Sequence, residues 1–138
     1  MGAFLSYLIA YVGAAAVMTG LDLIWLKLAA DRVYHPAIGA LLAEHANHAA
    51  AAAFYLVFVT GIVIFGVSPA LQSDRWWTAF FHGALFGFFA YATYDLTNLA
   101  TLSGWTSRLA LIDLSWGTLV SALSSTAGYL LVHALRYV

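Results

Sequence analysis

The sequence has no cysteine, only two prolines, and charged side chains at just 8% of its positions. Without cysteine there is no disulfide, no thiolate metal ligand and no cysteine nucleophile. Five basic residues are scattered singly along 138 positions at a net charge of −1, which leaves no patch suited to a nucleic acid partner. No nucleophile–base pair and no phosphate-binding loop is recognisable. The prolines, Pro36 and Pro69, fall where long apolar runs end.

Apolar residues make up 64% of the chain, and its mean hydropathy is +0.89. A soluble domain is about half apolar and about a quarter charged. A short chain buries only a limited share of its surface, so this much apolar area needs a bilayer as its solvent. A spanning helix takes about 20 mostly apolar residues. Four stretches qualify: Ala3–Ala29, His48–Val67, Trp77–Leu102 and Arg108–His133. The expected fold is therefore all-α, a single domain over residues 1–138 forming a four-transmembrane-helix bundle. The N-terminal run has no positive n-region and exceeds an h-region, and it reads as a retained first span.

Each span has an expected stop. Lys27, Asp31, Arg32 and Pro36 close the first, Ser68-Pro69 the second, and Ser103-Gly104 the third. Ser73 and Asp74 are expected N-caps of the third span, and Thr106 or Ser107 of the fourth. The linker at 30–47 is longer than the others. Pro36 suits a helix start, and Ile38, Leu41 and Leu42 form an apolar stripe, which predicts a short interfacial helix. This linker and the 103–107 turn share one face of the membrane, here side B, opposite the N-terminus on side A. Basic residues divide three to two between the faces, too evenly for the positive-inside rule to set an orientation.

Three aspartates interrupt the spans: Asp22, Asp95 and Asp113. Each costs about 2.5–3.5 kcal/mol at a helix centre, and a leucine returns only about 0.3–0.6 kcal/mol. Their offsets from the span ends place all three roughly 7–11 Å from side B. Such residues face a bundle interior or a wet cavity. Tyr91, Asp95 and Asn98 fall on one stripe of the third helix, with Tyr91 and Asn98 placed to orient the carboxylate. Tyr11, Met18, Asp22 and Trp25 share a face of the first helix, and Asp113, Trp116, Gly117 and Ser124 share one of the fourth. The pattern Asp-Leu-x-Trp occurs at 22–25 and again, on an inverted helix, at 113–116. The stripes are expected to meet in a pocket opening toward side B, with Trp25 and Trp116 either walling it or donating an indole N–H to a carboxylate.

The run Tyr91-Ala-Thr-Tyr-Asp-Leu-Thr-Asn-Leu-Ala-Thr101, followed by Asp113-Leu-Ser-Trp-Gly117 and joined by Asp22-Leu-Ile-Trp25, resembles the bacterial membrane family catalogued as domain of unknown function 2177. The likeness extends over essentially the whole chain. It implies an integral protein of the bacterial inner (cytoplasmic) membrane, and it transfers no mechanism.

Three uses of the acidic cluster follow from the residues. Buried carboxylates that repel one another suit the uptake of a proton, a cation or a small amphiphile, and hence transport, with Asp95 as the central residue. His45 and His48, spaced i, i+3 beside Glu44, would join Asp22, Asp95 and Asp113 in a divalent metal site of a lipid-modifying membrane enzyme. The aspartates would alternatively pair with basic residues of a membrane partner or a second copy, as in an accessory subunit. Against all three stands a structural use: bonds to Tyr, Trp, Asn or Ser of neighbouring helices, or pairing with Lys27 and Arg108 by snorkelling. Gly83 and Gly87 fit close helix approach, and Ser121, Ser124, Ser125 and Thr126 are expected to bond their own backbone carbonyls or else to line a polar seam.

Overall fold

The computed structural model describes residues 1–136, and among these there is no strand. Four helical segments follow one another: α1 (Ala3–Leu41), α2 (His48–Ser73), α3 (Trp76–Thr101) and α4 (Ser107–Arg136). By length and apolar composition three of them, α1, α2 and α4, are able to cross a membrane. α3 has 26 residues, as many as α2, but His82, Tyr91, Tyr94, Asp95 and Asn98 dilute its apolar content. The composition therefore supports three spans where the sequence reading expected four.

Two helices run past their expected ends. α1 passes Asp31 and Arg32 through a π-helical turn at Ala30–Tyr34, resumes as α-helix at His35–Ile38 and closes in a 3₁₀ turn. α2 passes Val67 through a π-helical stretch at Ile62–Val67 and continues from Ser68 to Ser73. Both prolines sit in the first turn of the resumed α-helix. The wider π turn has already broken the regular i→i−4 ladder there, so the missing N–H of proline is tolerated. The short helix expected in the first linker exists, but as a continuation of α1. Its Ile38 is buried, whereas Leu41 and Leu42 are exposed.

Because α2 extends to Ser73, the expected caps of α3 serve other ends. Ser73 donates to the Pro69 carbonyl at 3.0 Å, and Asp74 takes a left-handed conformation at the end of α2. The Asp74 carboxylate accepts from Tyr129 at 3.2 Å, which ties this turn to α4. Thr106 caps α4 by accepting from the Leu109 N–H at 3.1 Å. Asn47 caps α2, accepting from the Ala50 N–H at 3.0 Å, a role the sequence reading did not assign.

Burial departs from that of a water-soluble protein. The interior holds many small residues, three aspartates and four serines beside apolar side chains such as Met18 and Ile62, whereas Phe4, Leu23, Val57 and Leu111 point outward. Such packing suits helices in lipid, where small interfacial residues let backbones approach. α3 and α4 make the most extensive contact. A methyl group added at Gly83 would lie 2.7 Å from the Ser121 carbonyl, and one at Gly87 2.5 Å from that of Gly117. α1 and α4 run antiparallel, since Gly13 packs against Gly128 while Asp22 meets Trp116. Thr126 bonds the Ala122 carbonyl at 2.8 Å, as expected. Ser121, Ser124 and Ser125 do not follow it; their buried hydroxyls have no hydrogen-bond partner among the described residues. Ser121 and Ser125 face Gly66, Gly83 and Gly87 across tight helix contacts.

Candidate functional site

An aspartate within a helix is usually disfavoured because its side chain competes with the backbone. Asp22 and Asp113 are instead held by tertiary donors. Asp22 accepts from the Tyr55 hydroxyl of α2 at 2.9 Å and from the Trp116 indole of α4 at 2.9 Å. Asp113 accepts from the Tyr34 hydroxyl at 2.5 Å, and Tyr34 in turn accepts from the Trp25 indole at 2.9 Å. The rings of Trp25 and Trp116 stack, with centroids 4.7 Å apart and planes inclined by 7°. The two Asp-Leu-x-Trp segments thus meet head to tail. The tryptophan of α4 reaches the aspartate of α1 directly, and the tryptophan of α1 reaches the aspartate of α4 through Tyr34.

These residues wall a cavity of about 470 Å³. Asp22, Trp25, Tyr91, Asp113 and Trp116 line it, as the sequence reading expected, together with Tyr34, Phe54, Phe58 and Tyr94. The volume falls within the range of about 300–1,000 Å³ typical of small-molecule sites. Gly117 makes room for one wall, because a methyl group there would overlap the Tyr91 ring. Gly117→Ala is accordingly expected to cost about 1–3 kcal/mol and to displace Tyr91, read by thermal unfolding in detergent.

Asp95 and Asn98 do not line the cavity. Asp95 is completely buried, and neither carboxylate oxygen has a hydrogen-bond partner among the described residues. Its polar neighbours are the Asp113 carboxyl and the Trp105 indole. Tyr91 and Asn98 therefore do not orient it; Asn98 lies beside Tyr94 instead. The aspartate expected at the centre stands behind Asp113, because the glycine contacts bring α3 so close to α4.

The metal set expected from Asp22, Asp95, Asp113, His45 and His48 is not assembled. Among the described residues no group of three His, Asp or Glu side chains is placed to hold a metal ion. His45, in the loop before α2, and His48, its first residue, are exposed and do not line the cavity. The snorkelling pairs are not formed either. Among the described residues the ion pairs are His35–Asp31 at 2.9 Å and His133–Asp74 at 3.7 Å, so Lys27 and Arg108 neutralise none of the three aspartates.

Sequence reasoning missed Tyr34 and Tyr55. Nine residues of ideal α-helix would turn Tyr34 about 180° away from Trp25. The π turn at Ala30–Tyr34, wider and with fewer degrees per residue, brings the two side chains together. Tyr55 carries a usable signal: a polar hydroxyl inside the otherwise apolar run Ala49–Val59 of α2.

No curated protein and no solved structure matches the chain. Residues 7–130 match the model of the family described as predicted membrane protein, DUF2177, and the chain belongs to that family of membrane proteins.

Proposed function

We propose that this chain is a single four-span domain of the bacterial inner membrane, with spans near 3–29, 48–67, 77–102 and 108–133, whose acidic pocket binds a small amphiphilic cation. The observation that carries the proposal is the cavity wall. Asp22 and Asp113 are its charged residues, no basic side chain lines it, and the rest of the lining is mostly aromatic. Aromatic faces attract organic ammonium groups, most strongly where water is excluded, and a carboxylate adds a counter-ion. Half of the ligand would be apolar, matching Phe54 and Phe58.

Asp95 deepens this reading. Two adjoining carboxyls without a cation between them are best satisfied by sharing a proton. A cation seated against Asp113 would take over that role and release the proton. An exchange of this kind suits transport, and it uses all three aspartates.

Titration of detergent-purified protein with a short alkyltrimethylammonium, followed by tryptophan fluorescence, tests the proposal. Trp25 and Trp116 should report saturable binding, and Asp22→Asn should weaken it about tenfold or more, equivalent to about 1.4 kcal/mol. An ammonium that binds Asp22→Asn as tightly as the unaltered protein would overturn the assignment.

A further inference from the structure

A second cleft lies at the side-B end of the bundle, between the extension of α1 and the first turn of α4. It encloses about 250 Å³ and is lined by Arg32, Pro36, Thr106, Arg108, Leu109 and Ile112, among others. Two arginines from segments far apart in the chain thus face one space. Neither meets a carboxylate at salt-bridge distance among the described residues, since the neighbouring Asp31 is engaged by His35 at 2.9 Å. The cleft also abuts the start of α4, a helix of 30 residues. The first N–H groups of a helix have no intrahelical acceptor, and the helix dipole favours an anion there. Arginine forks match phosphate oxygens in geometry as well as charge.

The walls below the arginines say which phosphate. Ile112 also lines an outward-facing groove of about 410 Å³ that continues along the α1–α4 seam past Leu111 and Leu119 to the outer faces of Trp25 and Trp116. Leu111 and Leu119 are exposed there. A cationic cleft that shares Ile112 with a mostly apolar groove deeper along α4 has the form of a phospholipid: phosphate above and acyl chain below. Free phosphate would use the cleft and leave the groove without a role.

We infer that Arg32 and Arg108 hold the phosphate of an anionic phospholipid whose acyl chain lies in the groove past Ile112. The site is independent of the acidic pocket, being of opposite charge and sharing only the two indoles as a common wall.

The test compares unfolding temperatures of detergent-purified full-length protein with added dioleoylphosphatidylglycerol, dioleoylphosphatidylcholine or inorganic phosphate. Phosphatidylglycerol should stabilise in a saturable way. The double variant Arg32→Gln, Arg108→Gln should raise the half-saturating concentration about tenfold or more, as expected for losing two charge-assisted phosphate contacts. Ile112→Trp, which narrows the groove and keeps both charges, should weaken the phosphatidylglycerol effect as well. Equal stabilisation by both lipids, or by phosphatidylglycerol in the protein and its double variant alike, would overturn the inference. So would a shift of the same size from inorganic phosphate, which would make the cleft a free-anion site. Ammonium binding in the acidic pocket should survive the double arginine change, which separates failure of this site from failure of the other.

Discussion

Asp22→Ala is expected to lose about 2–4 kcal/mol of stability in detergent and to abolish ammonium binding. The change strands two donors, the Tyr55 hydroxyl and the Trp116 indole, which otherwise reach the two oxygens of one carboxylate. A fully buried donor left without an acceptor costs about 1–3 kcal/mol, and these two donors are half-buried, so each costs less. Interhelical hydrogen bonds in membranes average only about 0.6 kcal/mol, because unfolded helices in lipid find other partners. The expected total therefore lies below the sum of two full penalties. A double-mutant cycle with Tyr55→Phe measures the share of one bond: Asp22→Ala should cost less in the Tyr55→Phe background. Equal costs in both backgrounds would show that the contact carries no coupling.

Asp95→Asn is expected to act in the opposite direction on stability, raising it by about 1–3 kcal/mol, while suppressing proton release when a cation binds. The side chain is fully buried beside another carboxyl, with the Trp105 indole as its neighbouring donor and no well-formed hydrogen bond among the described residues. Asparagine keeps the volume and can donate to Asp113 from its amide, so the pair no longer needs a shared proton. A buried polar atom without a partner is among the few features whose removal stabilises a fold. Retention of such a residue is understandable where function uses it, and the proposed use is to share a proton with Asp113. Thermal unfolding gives the first effect. Proton uptake or release in weakly buffered detergent solution gives the second. A destabilisation comparable to that of Asp22→Ala would contradict this reading and make Asp95 a structural member of the bundle.

Much of the pocket was legible because helical periodicity is rigid. Asp22 and Trp25 lie three residues apart, as do Asp113 and Trp116, so each pair must share a face. The inverted order of α1 and α4 then sets aspartate against tryptophan across the interface. Tyr91 was legible for the same reason. What escaped depended on departures from the ideal helix or on distances between helices. Tyr34 reaches the site only through the π turn at Ala30–Tyr34. Pro36 and Pro69 looked like stops because proline breaks a regular ladder, and the π turns had already relaxed that ladder. The position of Asp95 behind Asp113 followed from how closely Gly87 and Gly117 let α3 and α4 approach, which a stripe on one helix does not reveal. His45 and His48 carried plausible ligand spacing, but both are exposed at the start of α2, away from the cavity.

The same distinction bears on the number of spans. α3 falls short on apolar content because Tyr91 and Tyr94, which line the cavity, and Asp95 and Asn98, which lie outside it, all lower it. Packed against α4 with Asp95 inside, it presents Phe81, Leu85, Phe89 and Leu96 outward. The proposed fourth span rests on that face, which also carries the exposed His82, Thr93 and Thr97. Cysteine-scanning accessibility along 76–101 should show a protected stretch about 20 residues long. Labelling from water at alternate turns of the Phe81–Leu96 face would contradict it.

The most direct measurement of the central proposal is an infrared difference spectrum, with and without a saturating alkyltrimethylammonium, of the protein and of its Asp113→Asn variant. Loss of a protonated-carboxyl band on binding, absent from the variant, is the expected result. Saturable binding with no change in any carboxyl band would contradict a site in which the aspartates exchange a proton for the cation.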